Sequence, residues 1–286
     1  MEQMSYQDLG NKMLRLLKEG RQDLVFDELC QRTKNNEKDA FVLLAQMYLQ
    51  GGYVQQDIDY ALDLAKKGSE LGSVDANRFL GDFYYENDLG YPTDKNKALE
   101  YYDICARAGD AECCNLLFKI YLMDEGLSEH RAKAFQYALM SAKLGNYIGM
   151  FNTAKCYFYG NGTDKDRFAA CYWFKEYLKY EPEDASVMYL ISLCLSDFCG
   201  IFGDSDEPTP QMLREAFEFA MLAFNKGYLE AFLFISFCYE GGFVVSKDLN
   251  MAYKYTRLAA DGGNEDARDM IKRFGKTIFG KYYIRD

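Results

Sequence analysis

Residues 76–110 read ANRFLGDFYYENDLGYPTDKNKALEYYDICARAGD. Ala76 opens an apolar stretch that closes on Tyr84, eight positions on. Ala98 is followed eleven positions later by Gly109. The parallel stretch Ala40, Leu43, Leu44, Met47 and Tyr48 shows the spacing most clearly: three, four and seven apart, which is helical and not the alternation of a strand. The small residue at its centre (Ala45, matched by Gly81 and Ala154) lets a neighbouring helix come close. The segment between the two halves carries glycine and aspartate, as turns do. Asp94 stands four residues before Ala98, where it can cap the orphan amides of a second helix, and Gly109 stands where a left-handed C-terminal cap is expected. The unit is therefore two helices joined by a turn.

The unit recurs. Comparable first halves start at Ala40, Cys113, Gly149, Ala185, Ala231 and Ala267; counted with Ala76, successive starts are 36, 37, 36, 36, 46 and 36 residues apart. The second signature runs in step: Ala61 to Gly72, Ala134 to Gly145, Ala169 to Tyr180, Ala216 to Gly227 and Ala252 to Gly263. Asp57 and Asp248 repeat the role of Asp94. A fixed period of this length marks a stacked-repeat architecture. Six repeats are expected at 39–74, 75–110, 111–146, 147–182, 183–228 and 229–263. Residues 1–38 read as two helices that close one end, and 264–286 as a closing helix, about Glu265 to Phe274, with an apolar tail that folds back on the last repeat. Such caps are needed because inner repeats are apolar on two faces. Repeat five carries an acidic insert around CGIFGDSDEPTPQ, after which Thr209 and Pro210 restart a helix as cap and first residue.

Composition narrows the function. The 286 residues are 49% hydrophobic and 16% aromatic with four prolines, a folding composition. No apolar run approaches the ~20 residues of a membrane span, and the first residues lack the basic and apolar segments of a secretory signal, so a cytoplasmic protein without membrane insertion is expected. An excess of 44 acids over 33 bases, net charge −11, speaks against nucleic acid as partner.

The pattern resembles the Sel1-like repeat family, relatives of the tetratricopeptide repeat. Residues 76–110 match its consensus closely; repeats one and six match well, three and four in part. Repeat five keeps the spacing but has Leu193 at the tyrosine position and lacks the turn glycines. The resemblance covers about residues 39–275. It implies an all-α, right-handed α/α superhelical solenoid of about six helix-turn-helix repeats with capping helices, and adaptor or scaffold roles without catalysis or cofactor.

Residues with chemical potential are few. The single histidine, His130, occupies the slot held elsewhere by the capping aspartates and reads as a residue near a helix start; no nucleophile marks a site for it. Nine cysteines contain no CxxC pair, so the usual zinc spacing is absent. Cys105 and Cys113, eight apart, are similar in spacing to a disulfide in the cysteine-rich secreted branch of the family. The other repeats put Gly68 and Ala76, Ser141 and Gly149, and Ala223 and Ala231 there. With no secretory signal, reduced buried thiols are the expectation. The acids Asp57, Asp59, Asp94, Asp164, Asp166 and Asp248 come from separate turns and read as caps, not as a metal site; Trp173 reads as core. No phosphate loop, dinucleotide fingerprint or HExxH is present.

If the first helices line a concave face, as in tetratricopeptide-like stacks, its exposed residues are Gln46, Asp75, Arg78, Asp82, Tyr85 and Glu86, then Glu112, Asn115, Lys119, Leu122 and Met123. Phe151, Lys155, Phe158 and Tyr159 follow, with Val187 and Ile191 in repeat five. Aromatics and methionine with a polar border suit a protein interface. On this reading, Phe158→Ala with Tyr159→Ala weakens partner capture and leaves thermal stability near wild type. The expected function is a non-enzymatic scaffold holding a protein or peptide. The alternative is an inhibitor or immunity-type protein that neutralises a basic toxin or enzyme, which negative charge would steer.

Overall fold

The computed structural model describes residues 6–87, 89–123, 128–197, 207–276 and 280–284. They form fifteen α-helices and one two-stranded hairpin, an all-α repeat solenoid apart from that hairpin. The chain divides into two compact units, residues 1–123 and 124–286. The division falls inside the third repeat. In the first unit, α1 (Tyr6–Lys18) and α2 (Gln22–Lys34) precede the pairs α3 (Lys38–Gln50) with α4 (Ile58–Glu70) and α5 (Val74–Tyr85) with α6 (Lys95–Arg107), and α7 (Ala111–Met123) packs on α6. In the second unit, α8 (Ser128–Lys143), α9 (Tyr147–Tyr159), α10 (Arg167–Leu178), α11 (Ala185–Ser196), α12 (Pro210–Asn225), α13 (Phe232–Gly241), α14 (Leu249–Asp261) and α15 (Glu265–Met270) each pack on the next. The last helix is shorter than the sequence suggests: a 3-10 turn, Ile271–Arg273, follows it, and Phe274 already belongs to a strand. The strands β1 (Phe274–Lys276) and β2 (Tyr282–Ile284) pair antiparallel, and Tyr282 stacks on Tyr253 of α14 with ring centroids 3.9 Å apart.

One position explains the repeat. The third residue of a first helix is buried against the preceding helix in all but repeat six: Ala40, Ala76, Cys113, Gly149, Val187 and Ala267; in repeat six the buried Ala231 stands in the 3-10 turn before α13. A polar cap three residues earlier accepts its amide: Ser73 for Ala76 at 3.3 Å, Asp110 for Cys113 at 2.8 Å, Asn146 for Gly149 at 3.1 Å, Asp184 for Val187 at 3.1 Å and Asn264 for Ala267 at 2.9 Å. Second helices are capped by aspartate in the same way, Asp57 accepting from Tyr60, Asp94 from Lys97, Asp166 from Ala169 and Asp248 from Met251. Thr209 caps α12, with Pro210 at its first position. The rest of the acidic insert, residues 199–206, lies outside the described residues.

This register corrects two positions. Repeat five starts at Val187, not Ala185, so its tyrosine slot is held by Leu195 and not Leu193. In repeat four the buried alanine is Ala170, four residues after the Asp166 cap; Ala169 is half-buried. The shift in repeat five comes from the junction after α10. Residues 179–184 connect α10 to α11, whereas three residues suffice after α4, α6 and α8, and no glycine marks the turn. Asp184 holds this longer junction. It accepts the Ser186 hydroxyl at 2.6 Å, the Ser186 amide at 3.0 Å and the Tyr177 hydroxyl at 3.2 Å. Burial alone raises its carboxyl, but these bonds and the Val187 amide hold it below the ordinary carboxylate value. Asp184→Ala is expected to cost about 1–2 kcal/mol. A depressed folded-state value means that the stabilisation is present above the unfolded value of about 3.9 and is lost as pH falls through the folded one. Urea unfolding of both proteins at pH 7 and near pH 2 measures it; the difference should shrink at the acid end.

The close contact between repeats takes small residues or a covalent bond. A Cβ on Gly149 would lie 2.5 Å from Ser141 Cβ, and one on Gly68 3.1 Å from Ala76 Cβ. At the same contact between α6 and α7 stand Cys105 and Cys113, with Cα atoms 6.0 Å apart, inside the range a disulfide bridges, and they are joined. The expectation of reduced thiols is therefore corrected for this pair. Cys30, Cys114, Cys156, Cys171, Cys194 and Cys238 are free, and Cys199 lies outside the described residues. Burial pushes the Cys114 and Cys171 thiols up to about 11, away from reactive thiolate chemistry.

The small central residue has an equally local reason. A Cβ on Gly81 would lie 2.6 Å from the Tyr102 ring of α6. Ala45, Ala154, Ser192 and Ser236 hold that place in other repeats, all fully buried, whereas repeat three has the half-buried Phe118 there.

Candidate interaction face

In the first unit the exposed face of the first helices is polar and ion-paired. Arg78 on α5 lies 2.7 Å from Asp75, 2.9 Å from Glu112 and 3.5 Å from Asp110. One guanidinium thus serves three carboxylates from two successive repeats. Burial raises the Asp75 carboxyl, and Asp39 and Asp110 add to it against the pull of Arg78. Asp82, one turn on, reaches the surface but has a partly buried carboxyl that accepts the Tyr102 hydroxyl at 2.8 Å; that burial raises it despite the bond. Tyr85 and Glu86 are exposed at the end of the helix. On α7, Asn115 is half-buried, Lys119 is exposed, and Leu122 and Met123 expose large apolar surfaces.

The N-terminal helix borders this face, which no repeat pattern signals. Tyr6 on α1 accepts a hydrogen bond from Gln46 on α3 at 3.4 Å. An ion-pair chain fixes α1 on α2 and the start of α3: Lys12 to Glu28 at 2.7 Å, Arg32 to Glu28 at 2.9 Å and Arg32 to Glu37 at 2.6 Å, with Arg32 buried. Between α1 and the first helices runs a groove of about 940 Å³. Its floor includes Met13, Leu43 and Met47, its α1 wall Leu14 and Leu17, and its far rim Asp75, Arg78 and Glu112.

In the second unit, Tyr147, Phe151, Lys155 and Tyr159 form an i, i+4 stripe along α9. Lys155 lies 5.3 Å above the Phe151 ring, and Tyr147 stacks 6.2 Å from Tyr177 and 6.1 Å from Tyr180. Tyr159 is 52% exposed. Phe158 is not part of this face. It is 3% exposed and meets Phe174 of α10 at 6.2 Å, because one residue of helix rotates it from the Tyr159 side into the seam between α9 and α10. Val187 and Ile191 are fully buried, which also removes them from the face; α11 is largely apolar and mostly buried. Tyr147 is a member that the sequence reading missed, being hidden beside the turn at Gly145, although the four-residue spacing to Phe151 signals it.

Among the described residues, one cluster has a donor set for a metal, Cys105 with Asp110 and Cys113. Its two sulfurs are bonded to each other, and Asp110 already takes the Cys113 amide and faces Arg78. It does not fit a metal ion in this state. His130 lies in the first turn of α8, half-buried. None of the helices among the described residues is long and apolar enough to cross a membrane.

Tandem helix pairs with capped first helices, small residues at the seams and an exposed face along one set of helices define a tetratricopeptide-like α-solenoid. The chain belongs to the Sel1 repeat family: the Sel1 repeat model matches residues 42–73, 74–110, 111–146, 148–176 and 230–264, more than half of its length. Repeat five goes unmatched, consistent with its longer junction, its insert and its largely apolar α11. Among curated proteins, the chain is 32% identical over 127 residues to chitin synthase regulatory factor 1 of Schizosaccharomyces pombe and 27% identical over 137 residues to the chitin synthase regulator SKT5 of Saccharomyces cerevisiae. These matches take in 43% and 46% of this chain but only 27% and 20% of those proteins. Among solved structures, the protective antigen c5321 of uropathogenic Escherichia coli, which has an SLR fold, is similar with a TM-score of 0.59 at 21% identity, over 86% of this chain and 51% of that one. A Sel1 repeat protein from Oxalobacter formigenes is similar with a TM-score of 0.50 at 18% identity, over 88% and 96%. Both likenesses concern the fold.

Proposed function

We propose that the protein is a non-enzymatic adaptor that holds a protein or peptide partner on the exposed face of its first helices. The observation that carries this reading is the contrast within those helices. Their seam positions are small and buried, whereas the residues one face round, Arg78, Asp82, Lys119, Met123, Lys155 and Tyr159, are charged, aromatic or apolar and largely open. The repeat family and the regulator names of the partial relatives support an interaction role. Arg78, Asp82, Tyr85, Glu86, Asn115, Lys119, Leu122, Met123, Phe151, Lys155 and Tyr159 remain the proposed contact set, and Phe158 leaves it. The inhibitor reading has one observation behind it, the net charge of −11, and predicts a single basic partner bound with salt-sensitive association. The Cys105–Cys113 disulfide weighs against the cytoplasmic expectation, since cytosolic thiols are kept reduced.

A photo-crosslinking side chain tests the adaptor reading. Placed at Lys119 or Lys155, it should give adducts of defined mass in host lysate; placed at Tyr172, which is 55% exposed on the second helix α10, it should give none of them. Equal labelling from Tyr172 would remove the first-helix face as the contact surface.

A further inference from the structure

The groove in the first unit combines two features that are separate elsewhere. Its α1 wall exposes Leu14 at 55% and Leu17 at 37%, three residues apart on one side of the helix. Exposed leucines at that spacing are a ridge into which a second helix can pack. Leu43 and Met47 continue the apolar surface on α3. The cavity, about 940 Å³, has room for several side chains and not merely one.

The charge along its rim is one-sided around Arg78. That guanidinium is met by Asp75, Glu112 and Asp110, and Asp39, also on the groove wall, lies near Asp75. Three carboxylates are paired to one arginine. The other cation on the walls, Lys38, is spent on the Gly72 carbonyl at 3.1 Å. Burial is the first cause of the raised Asp75 carboxyl, and the like charges of Asp39 and Asp110 raise it further against the pull of Arg78. A ligand that brings lysine or arginine beside the rim relieves this repulsion, and one that brings a carboxylate worsens it.

We infer that the groove between α1 and the first helices α3 and α5 receives a basic amphipathic helix of a partner protein, its aliphatic side on Leu14, Leu17, Leu43 and Met47 and its lysines or arginines against Asp75 and Glu112. This deepens the adaptor reading and rests on it. The helix-in-groove mode supplies affinity through the apolar anchors and orientation through the rim.

The probe is a fluorescent peptide of about 14 residues, roughly four helical turns, built of leucine and lysine in amphipathic register. It is measured against the full chain by fluorescence anisotropy, beside a leucine and glutamate peptide and a lysine peptide without leucine. The leucine and lysine peptide should bind, and its affinity should fall as salt rises. Leu14→Glu and Glu112→Lys, both at exposed positions, should each weaken it about tenfold or more while the melting temperature stays at the wild-type value. Tyr172→Glu on α10 in the other unit, outside the contact set and exposed, should leave it unchanged. No binding, equal binding of either control peptide, or wild-type affinity in both groove variants overturns the assignment. Binding that survives Leu14→Glu and Glu112→Lys but is lost with Tyr159→Ala places the peptide on the α9 stripe. The adaptor reading then stands and this site falls.

Discussion

Phe158→Ala is expected to destabilise the protein by about 3–5 kcal/mol, the cost of emptying a buried aromatic site, while Tyr159→Ala next to it stays within about 1 kcal/mol. Phe158 is 3% exposed and closes the seam between α9 and α10 through Phe174, which is fully buried and also meets Phe151 at 6.3 Å. Its removal leaves a cavity that those rings cannot collapse into without losing their own contacts. Tyr159 loses only partial contact, since half of it already faces water. Thermal unfolding followed by circular dichroism separates the two, at about 2–4 °C per kcal/mol for a domain of this size. A melting temperature near wild type for Phe158→Ala would return the residue to the surface and void the placement of the α9 seam.

The second large effect is backbone-borne. Gly162→Ala should cost about 3 kcal/mol or more. The residue has φ +77°, a conformation that costs a non-glycine residue about 1–3 kcal/mol, and its missing Cβ would run into the carbonyl oxygen of Arg131. Arg131 belongs to α8, so the turn that joins α9 to α10 rests directly on the backbone of the helix before it. Neither backbone can yield as a flexible side chain would. Gly145→Ala is the internal control. It has φ +85° but nothing within 4 Å of the added carbon, so it should show the conformational cost alone, about 1–2 kcal/mol. Equal losses for the two variants in denaturant titrations would mean that the turn does not touch α8.

These two residues also show what was and was not readable beforehand. The repeat was readable because its signatures are seam residues. Ala40, Ala76 and Gly149 must be small wherever the preceding helix abuts, and Asp57, Asp94 and Asp248 must accept amides wherever a helix begins. Those demands act on each unit alike and leave a period. The face was less readable because exposure depends on helical phase, and adjacent aromatics such as Phe158 and Tyr159 look equivalent until the partner helix is in place. In repeat five the assignment slipped by two residues, because the junction after α10 is longer and Asp184, not a glycine, ends it. The contribution of α1 was out of reach for another reason: it has no copies, so no comparison along the chain could say which side its leucines present. The Cys105–Cys113 bond was visible as a spacing, but only the abutting seam shows why that pair is brought together.

That bond changes how the first unit can come apart. A linear array held by neighbour contacts can fray inward from an end, one repeat after another. At the boundary between the second and third repeats the strands of such an unravelling chain stay tethered, because α6 and α7 are locked to each other within a ring that spans only the turn between them. Pulled by its ends, the protein would therefore withhold that short ring of chain from its stretched length, and treatment with a reductant would release it.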